Sequence, residues 1–275
     1  MKYPFKASIV ILDYKKSKRV CENVESIQQQ VTNFPFEIII VDNSCNPENA
    51  EKLKSLKKLS NVQVHINKKN IGYVRGNNRG AQMAHGKYLL IVNPDIIWRD
   101  KDTLQKLVDY MDKNPNVGIL GPKQINDGDG STAMTVRAFP KLFIQIARRT
   151  FLRKLPVVKK HVAHDEMRHL DYDKVQEVDW LQSSFWITRK HLWNSFDGLN
   201  SDYFIFMSDP DLCFKCWKKG YKVIYNPEIK VYADGIRLSS GGFMTYFSKW
   251  TLRQHVKDAI KYKWNHLLQS NPRKK

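Results

Sequence analysis

The chain has 275 residues, 42% hydrophobic and 12% aromatic, which suffices for a sizeable core and is too apolar for an intrinsically disordered chain. No apolar run approaches the length of a membrane span, and Met1-Lys-Tyr-Pro-Phe-Lys6 lacks the apolar core of a secretory leader, so a cytoplasmic location is expected. The net charge of +19 is concentrated in two blocks: residues 137–160 hold eight basic side chains and no acid, and residues 237–275 hold nine against Asp258 alone.

Strand-like and helix-like segments alternate from the start. Apolar runs at 8–12, 37–41, 62–66 and 88–92 read as strands. Residues 18–30, 47–59, 77–84 and 100–112 read as helices, the last stopped by Asn114-Pro115. Near-continuous apolar strands separated by helices predict an α/β fold with a mostly parallel central sheet, covered by helices on both faces. Beyond Pro122 the pattern loosens: 126–130 is a turn-rich loop, and 137–173 reads as a basic, irregular and mobile segment. Residues 178–188 are strand-rich. Asp209-Pro210 starts a helix that Gly220 ends, with Asp209 as the capping residue and Pro210 at the first helical position. Short strands at 223–225 and 229–232 follow, and a basic amphipathic helix is expected from 243 to 268.

Cys213-x-x-Cys216 has metal-ligand spacing, but Cys21 and Cys45 lie far upstream, so two thiols on one helix are a simpler reading than zinc. In both basic blocks, aromatic and aliphatic residues interleave with Lys and Arg. That pattern predicts docking on an anionic membrane surface ahead of nucleic acid, with a solvated, partnerless basic face as the third reading.

Several acids fall where elements end. Asp42 follows the second strand, Asp95 in Asn93-Pro94-Asp95 follows the fourth, and Asp209 precedes a helix. Carboxylates at the carboxyl edge of one sheet can converge on a single crevice and hold a divalent cation there. Asn70-Ile-Gly72 and Arg75-Gly-Asn-Asn78 lie between a strand and a helix, where glycine and a helix amino end favour an anion such as a diphosphate. Each of these residues also has a local reading, as turn or helix cap. Two other phosphate motifs are excluded. No G-x-G-x-x-G follows the first strand, and Gly80 to Gly86-Lys87 has five residues between its glycines and Tyr88 where a P-loop needs Ser or Thr.

Taken in order, Val41-Asp-Asn-Ser44, Asn70-Ile-Gly-Tyr-Val-Arg-Gly-Asn-Asn-Arg-Gly80, Gly86-Lys-Tyr-Leu-Leu-Ile-Val-Asn-Pro-Asp95 and Ser208-Asp-Pro-Asp-Leu-Cys213 resemble family 2 glycosyltransferases of the GT-A fold. The bacterial rhamnosyltransferase branch is the most similar, and the resemblance runs from about residue 7 to 235. It implies an inverting transfer of L-rhamnose from dTDP-β-L-rhamnose to a glycan or lipid-linked glycan of the bacterial surface, such as O-antigen or capsule. Other nucleotide-sugars (galactofuranose, hexose, hexosamine) are the alternative donors, and a non-catalytic basic membrane- or RNA-binding protein is the alternative class. Carried over by position, Tyr14, Asp42, Asn70, Gly72, Arg75, Asn78 and Asn93 would bind the donor. Asp95 would bind Mg²⁺ or Mn²⁺, Asp209 would be the base, and Gln182, Trp186 and Asp211 would face the acceptor.

The sequence departs from that pattern at three places. Ser208 stands where the family commonly has Glu, Asp13 where it has Thr or another small polar residue, and no His follows the last strand, where Asp234 is the nearest substitute ligand. The resemblance implies a glycosyltransferase domain over 1–240, with a nucleotide-sugar half (1–122) and an acceptor half (123–240), followed by a basic helical extension (241–275). The protein is expected at the inner face of the cell membrane, with no nucleic-acid partner.

Overall fold

The computed structural model describes residues 3–140, 144, 155–234, 250–267 and 269–274. Four parallel strands, β1 (Phe5–Asp13), β2 (Phe36–Asp42), β3 (Val62–Ile66) and β4 (Gly86–Val92), lie side by side in the order β3-β2-β1-β4. Beyond β4 the sheet continues with β9 (Phe185–Arg189), β5 (Val117–Asn126), β10 (Lys222–Ala233) and β7 (Gln176–Glu177), in that order. β9 is antiparallel to both of its neighbours, β10 is parallel to β5, and β7 is an antiparallel edge. β6 (Val136–Arg137) and β8 (Trp180–Leu181) pair separately as a short antiparallel ribbon.

The apolar strands bury both faces, as their unbroken hydrophobicity predicts. Ile9, Ile11, Ile38, Ile40, Leu90 and Val92 pack on α1 (Ser17–Gln28), α2 (Pro47–Lys54) and α4 (Thr103–Lys113). In α1 the buried Val20, Val24 and Ile27 follow the spacing of one helix face. Val10, Leu12, Ile39, Val41, Leu89 and Ile91 pack on the opposite side, against α3 (Gly72–Met83), α6 (Lys190–Ser195) and α7 (Ser208–Lys218). Each such side chain contributes about 1.5–3 kcal/mol by leaving water. α3 approaches the sheet closely because it carries glycines there: a Cβ on Gly76 would lie 2.5 Å from Leu12, and one on Gly80 2.4 Å from Val10.

Four elements differ from the sequence-based expectation. β5 is a ten-residue strand inside the sheet, although Gly118, Gly121 and Pro122 are residues that strands avoid. The glycines leave room for neighbours, since a Cβ on Gly118 would meet Cys216 Sγ at 2.4 Å and one on Gly121 would meet Leu181 at 2.9 Å. The two short strands expected at 223–232 are one strand, β10, whose register shifts between Asn226 and Lys230 beside Pro122. α3 begins at Gly72, five residues before the expected start at Asn77. Within the segment read as irregular, α5 (Pro156–Asp165) is helical, while 141–143 and 145–154 lie outside the described residues.

The expected C-terminal helix is present as α8 (Trp250–Asn265), and residues 243–249 lie outside the described residues. α8 packs on the domain through the buried Tyr262. Asp258, fully buried, accepts backbone N–H groups from Phe204 (3.4 Å), Ile205 (3.2 Å) and Phe206 (3.0 Å), with Gln254 Nε2 at 2.8 Å.

Candidate active site

The carboxyl ends of β1 and β2 place Asp13 opposite Asp42 in register. Both are fully buried. Asp13 accepts the Lys16 N–H at 2.9 Å on one oxygen, and the Ser44 hydroxyl at 3.0 Å and Asn49 amide at 2.7 Å on the other. Burial raises its pKa, opposed by the Asn49 and Ser44 bonds. Asp42 Oδ1 accepts the Ser44 N–H at 2.7 Å and Asn49 Nδ2 at 3.3 Å, whereas its buried Oδ2 has no hydrogen-bond partner among the described residues. A buried acceptor left unpaired costs about 1–3 kcal/mol. Tyr14, the residue after Asp13, is 52% exposed, with the Lys15 ammonium 5.5 Å from its ring centroid.

A second pair of carboxylates forms at the ends of β4 and β10. Ile97 and Tyr232 exchange backbone hydrogen bonds of 2.8 and 3.0 Å, which brings the Asp95 turn to the end of β10. The Lys16 ammonium lies 3.7 Å from Asp95 Oδ1 and 3.8 Å from Asp234 Oδ2. Burial raises the Asp95 pKa and the neighbouring Asp234 raises it further, while Lys16 opposes both. Two adjacent, largely buried carboxylates around a cationic group fit a divalent cation, with diphosphate oxygens and water filling its other positions. Among the described residues no cluster of three or more His, Cys, Asp or Glu surrounds a possible metal position. Asn93, half-buried, is held by backbone bonds to Ser184 and Asn23.

Asp209 is the third focus. The sequence suggested a helix cap, but α7 starts one residue earlier, after Met207 in the left-handed region (φ +68), and no side chain caps it. The Asp209 carboxylate instead turns to the loop before β9. It accepts the Ser183 N–H at 3.1 Å, the Ser183 hydroxyl at 2.7 Å and the Ser208 hydroxyl at 3.2 Å. Burial raises its pKa against those hydrogen bonds. The Tyr73 hydroxyl donates to the Ser183 carbonyl at 2.9 Å, lies 2.7 Å from the Ser183 hydroxyl and feels the charges of both Asp209 and Asp95. Tyr73 thus shares Ser183 with the base candidate.

Several expected contacts are differently used. The first three N–H groups of α3 are already bonded: Gly72 to Asn70 Oδ1 at 2.9 Å, and Tyr73 and Val74 to the Phe204 carbonyl at 2.9 and 3.3 Å. That helix end is therefore capped by the chain itself, and Asn70 and Gly72 (φ +85, against the Phe204 ring) shape the cap. Arg75 is exposed on the first turn of α3. Asn78 does not offer its amide to a ligand, because Oδ1 accepts the Leu199 N–H at 2.9 Å and Nδ2 donates to the Leu199 carbonyl at 2.7 Å.

On the expected acceptor side, Trp186 is fully buried opposite Ile91 within the sheet and faces the core, because β9 is an interior strand. Asp211 is buried against α8, paired with His266 and Lys215 at 2.9 Å each, and so anchors the last helix. Gln182 remains half-buried next to Ser183. Cys213 and Cys216 are free, buried thiols on α7 that pack against the sheet. Lys16, Tyr73, Ser183 and Asp258 were not singled out from the sequence. Each is defined by a partner far along the chain, and only Tyr73 lies within a motif quoted from the sequence, the stretch 70–80.

An open, mostly parallel sheet that gathers carboxylates at the ends of β1, β2, β4 and β10 is the architecture of GT-A glycosyltransferases, and solved structures of that class superpose on it. GalNAc-T7 with UDP, GalNAc and Mn²⁺ gives a TM-score of 0.64 at 16% identity, covering 96% of this chain and 48% of that one. The mannosyltransferase PcManGT of Pyrobaculum calidifontis with GDP-Man and Mn²⁺ gives 0.58 at 13%, covering 99% and 78%. Residues 8–176 match the family model of glycosyl transferase family 2, and the chain belongs to that family. An uncharacterized glycosyltransferase of Methanocaldococcus jannaschii is 28% identical over 181 residues, covering 60% of this chain and 62% of that protein. Rhamnosyltransferase WbbL of Escherichia coli is 26% identical over 205 residues, covering 72% and 68%.

Proposed function

We propose that the protein is an inverting glycosyltransferase in which Asp209 removes the proton from the acceptor hydroxyl as the sugar leaves a nucleoside diphosphate. The observation that carries this reading is the mooring of Asp209. Its two oxygens are fixed by Ser183, so the carboxylate is aimed by β9 and the loop before it instead of capping its own helix. A positioned base of this kind contributes about 10²–10⁴-fold. In one displacement the acceptor oxygen, losing its proton to Asp209, attacks the anomeric carbon from the face opposite the departing nucleoside diphosphate, so the anomeric configuration inverts.

The orphaned Asp42 Oδ2 supports nucleobase binding, with Tyr14, the residue after Asp13, as an exposed ring for stacking. Asp95 and Asp234 would hold Mg²⁺ or Mn²⁺, which when bound neutralises charge on the departing diphosphate. Arg75, exposed at the same end of α3, would add positive charge for the phosphates. In this reading residues 1–122 take the nucleotide-sugar and 123–240 the acceptor.

The likeness to rhamnosyltransferase WbbL favours rhamnose as the sugar transferred, and the motif resemblance to bacterial rhamnosyltransferases favours dTDP-L-rhamnose as donor and a polysaccharide or lipid-linked oligosaccharide as acceptor. Exposed Trp250, Ile260 and Trp264 interleave on α8 with exposed Arg253, Lys257 and Lys261, and exposed Leu267 follows just beyond it, which supports a peripheral position on an anionic membrane. Among the described residues no helix is long and apolar enough to cross a membrane. Product analysis with a panel of nucleotide-sugars and lipid-linked acceptors tests the whole reading, and calorimetry tests the donor. Tighter binding of dTDP than of UDP is expected. The reverse order would remove rhamnose, and no transfer from any donor would remove the enzyme.

A further inference from the structure

We propose that Lys16 is a resident counter-cation of the Asp95–Asp234 pair and sets how tightly that pair takes a divalent metal ion. The inference rests on reading those two carboxylates as the metal's protein ligands. Its basis is the way the chain delivers Lys16 to them. β1 ends at Asp13, and the backbone then turns through Lys15 in the left-handed region (φ +57), a conformation that non-glycine residues rarely adopt. The turn is fastened on both sides: the Lys15 N–H donates to Ser44 Oγ at 2.6 Å and the Lys16 N–H to Asp13 Oδ1 at 2.9 Å. Strained backbone held by such bonds clusters where a side chain must be aimed. Here it aims the Lys16 stem across the sheet edge to the ends of β4 and β10.

The two carboxylates need a cation. Their side chains are only 13% and 7% exposed, and burying two negative charges side by side is costly without one. At 3.7 and 3.8 Å the ammonium balances their charge but is too far to hydrogen-bond to either oxygen. A metal ion bound to the same oxygens at about 2.0–2.6 Å would face that ammonium across a few ångströms of largely buried space. The two cations repel, so Lys16 must swing away when metal enters. Its side chain is 33% exposed, which leaves a way out to solvent. Lys16 therefore weakens metal binding while keeping the pair folded in place, and its charge, not its shape, is what matters.

The test is Mn²⁺ binding to the full chain at low salt, read by the loss of the free-ion electron paramagnetic resonance signal, without donor or turnover. Lys16→Met should bind Mn²⁺ about tenfold or more tighter than the natural protein, the scale of one unit charge removed from a partly screened site. Lys16→Arg, which keeps the charge, should bind like the natural protein. An Asp95→Asn/Asp234→Asn double variant gives the zero. If Lys16→Met fails to fold by circular dichroism, Lys16→Gln gives the same reading. Equal affinity of the neutral variant and the natural protein overturns the role of Lys16 and leaves the metal site standing. Binding that survives loss of both carboxylates, or no binding by any of the proteins, overturns the metal reading together with this one.

Discussion

Ser183 donates both its backbone N–H and its hydroxyl to the Asp209 carboxylate, at 3.1 and 2.7 Å. This two-point grip separates what Asp209 does for the fold from what it does in the proposed chemistry, and each side has its own measurement.

Replacing Asp209 with Asn keeps the shape and removes the base. Turnover should fall about 10²–10⁴-fold. Burial raises the Asp209 pKa, so the folded state disfavours its ionised form. A group raised in this way adds stability below its unfolded pKa and loses that contribution as pH climbs through the folded value. Against this, Asn offers one acceptor oxygen to the two Ser183 donors, so the linkage is read in the trend: the melting point of Asp209→Asn relative to the natural protein should fall from pH 7 to pH 4. Calorimetric melts at the two pH values check this, and a variant that keeps most of its turnover would return Asp209 to a structural part.

Ser183→Ala removes one hydrogen bond to the ionised carboxylate and leaves the backbone one. Losing a bond that favours the charged form pushes the Asp209 pKa up further, so the acid limb of the kcat profile should move to higher pH. A hydrogen bond to a charged group is worth about 1.5–3 kcal/mol. Ser183→Thr, which restores a hydroxyl, should move the limb back. A profile unmoved by alanine would mean that Ser183 does not tune Asp209.

Asp258→Ala leaves the N–H groups of Phe204, Ile205 and Phe206 without their acceptor. An unmet buried donor costs about 1–3 kcal/mol, and these three are only partly buried, so each falls at the low end and a total loss of roughly 3 kcal/mol is expected in urea unfolding. Asp258→Asn, which keeps one acceptor oxygen, should lose less. The Phe204 carbonyl caps α3 next to Tyr73, so kcat should fall with stability.

Trp264 is 78% exposed on α8, and replacing it with Ser should change stability by no more than about 0.5 kcal/mol. Flotation with acidic vesicles should nevertheless weaken, above all in high salt, where the charge attraction is screened and the apolar part remains. Neutral vesicles should bind neither protein. Equal flotation of both proteins would exclude this helix face from the membrane, and tight RNA binding without flotation would favour nucleic acid.

The parallel half of the sheet was legible because each of its strands is a short apolar run and each acid of interest ends one. Asp42 and Asp95 stand where that pattern put them, at the carboxyl edge. β5 was hidden because Gly118, Gly121 and Pro122 look like loop, and what requires small residues there, Cys216 and Leu181, comes from elements much later in the chain. Asp211 and Trp186, placed on the acceptor side by positional resemblance alone, are buried by partners just as distant in the chain, His266 after α8 and the neighbours of the interior strand β9. Asp234, the substitute for the expected His, does meet Asp95, but the pairing of Ile97 with Tyr232 that brings them together leaves no local trace.

The capping of α3 by Phe204, and of the Phe204 loop by Asp258, has a consequence in time. Tyr73 and Asp258 are 185 residues apart (258 − 73), which at about 5–20 residues per second means roughly 10–40 s of synthesis. The parallel strands leave the ribosome early and can pair with one another. Ser183 and Phe204, the partners of Tyr73, follow within that time, but the Phe204 loop lacks its own acceptor until α8 emerges and docks. A nascent chain halted before Asp258 would thus hold every strand of the sheet and an unsupported Phe204 loop, so α8 sets when the cap on α3 becomes firm.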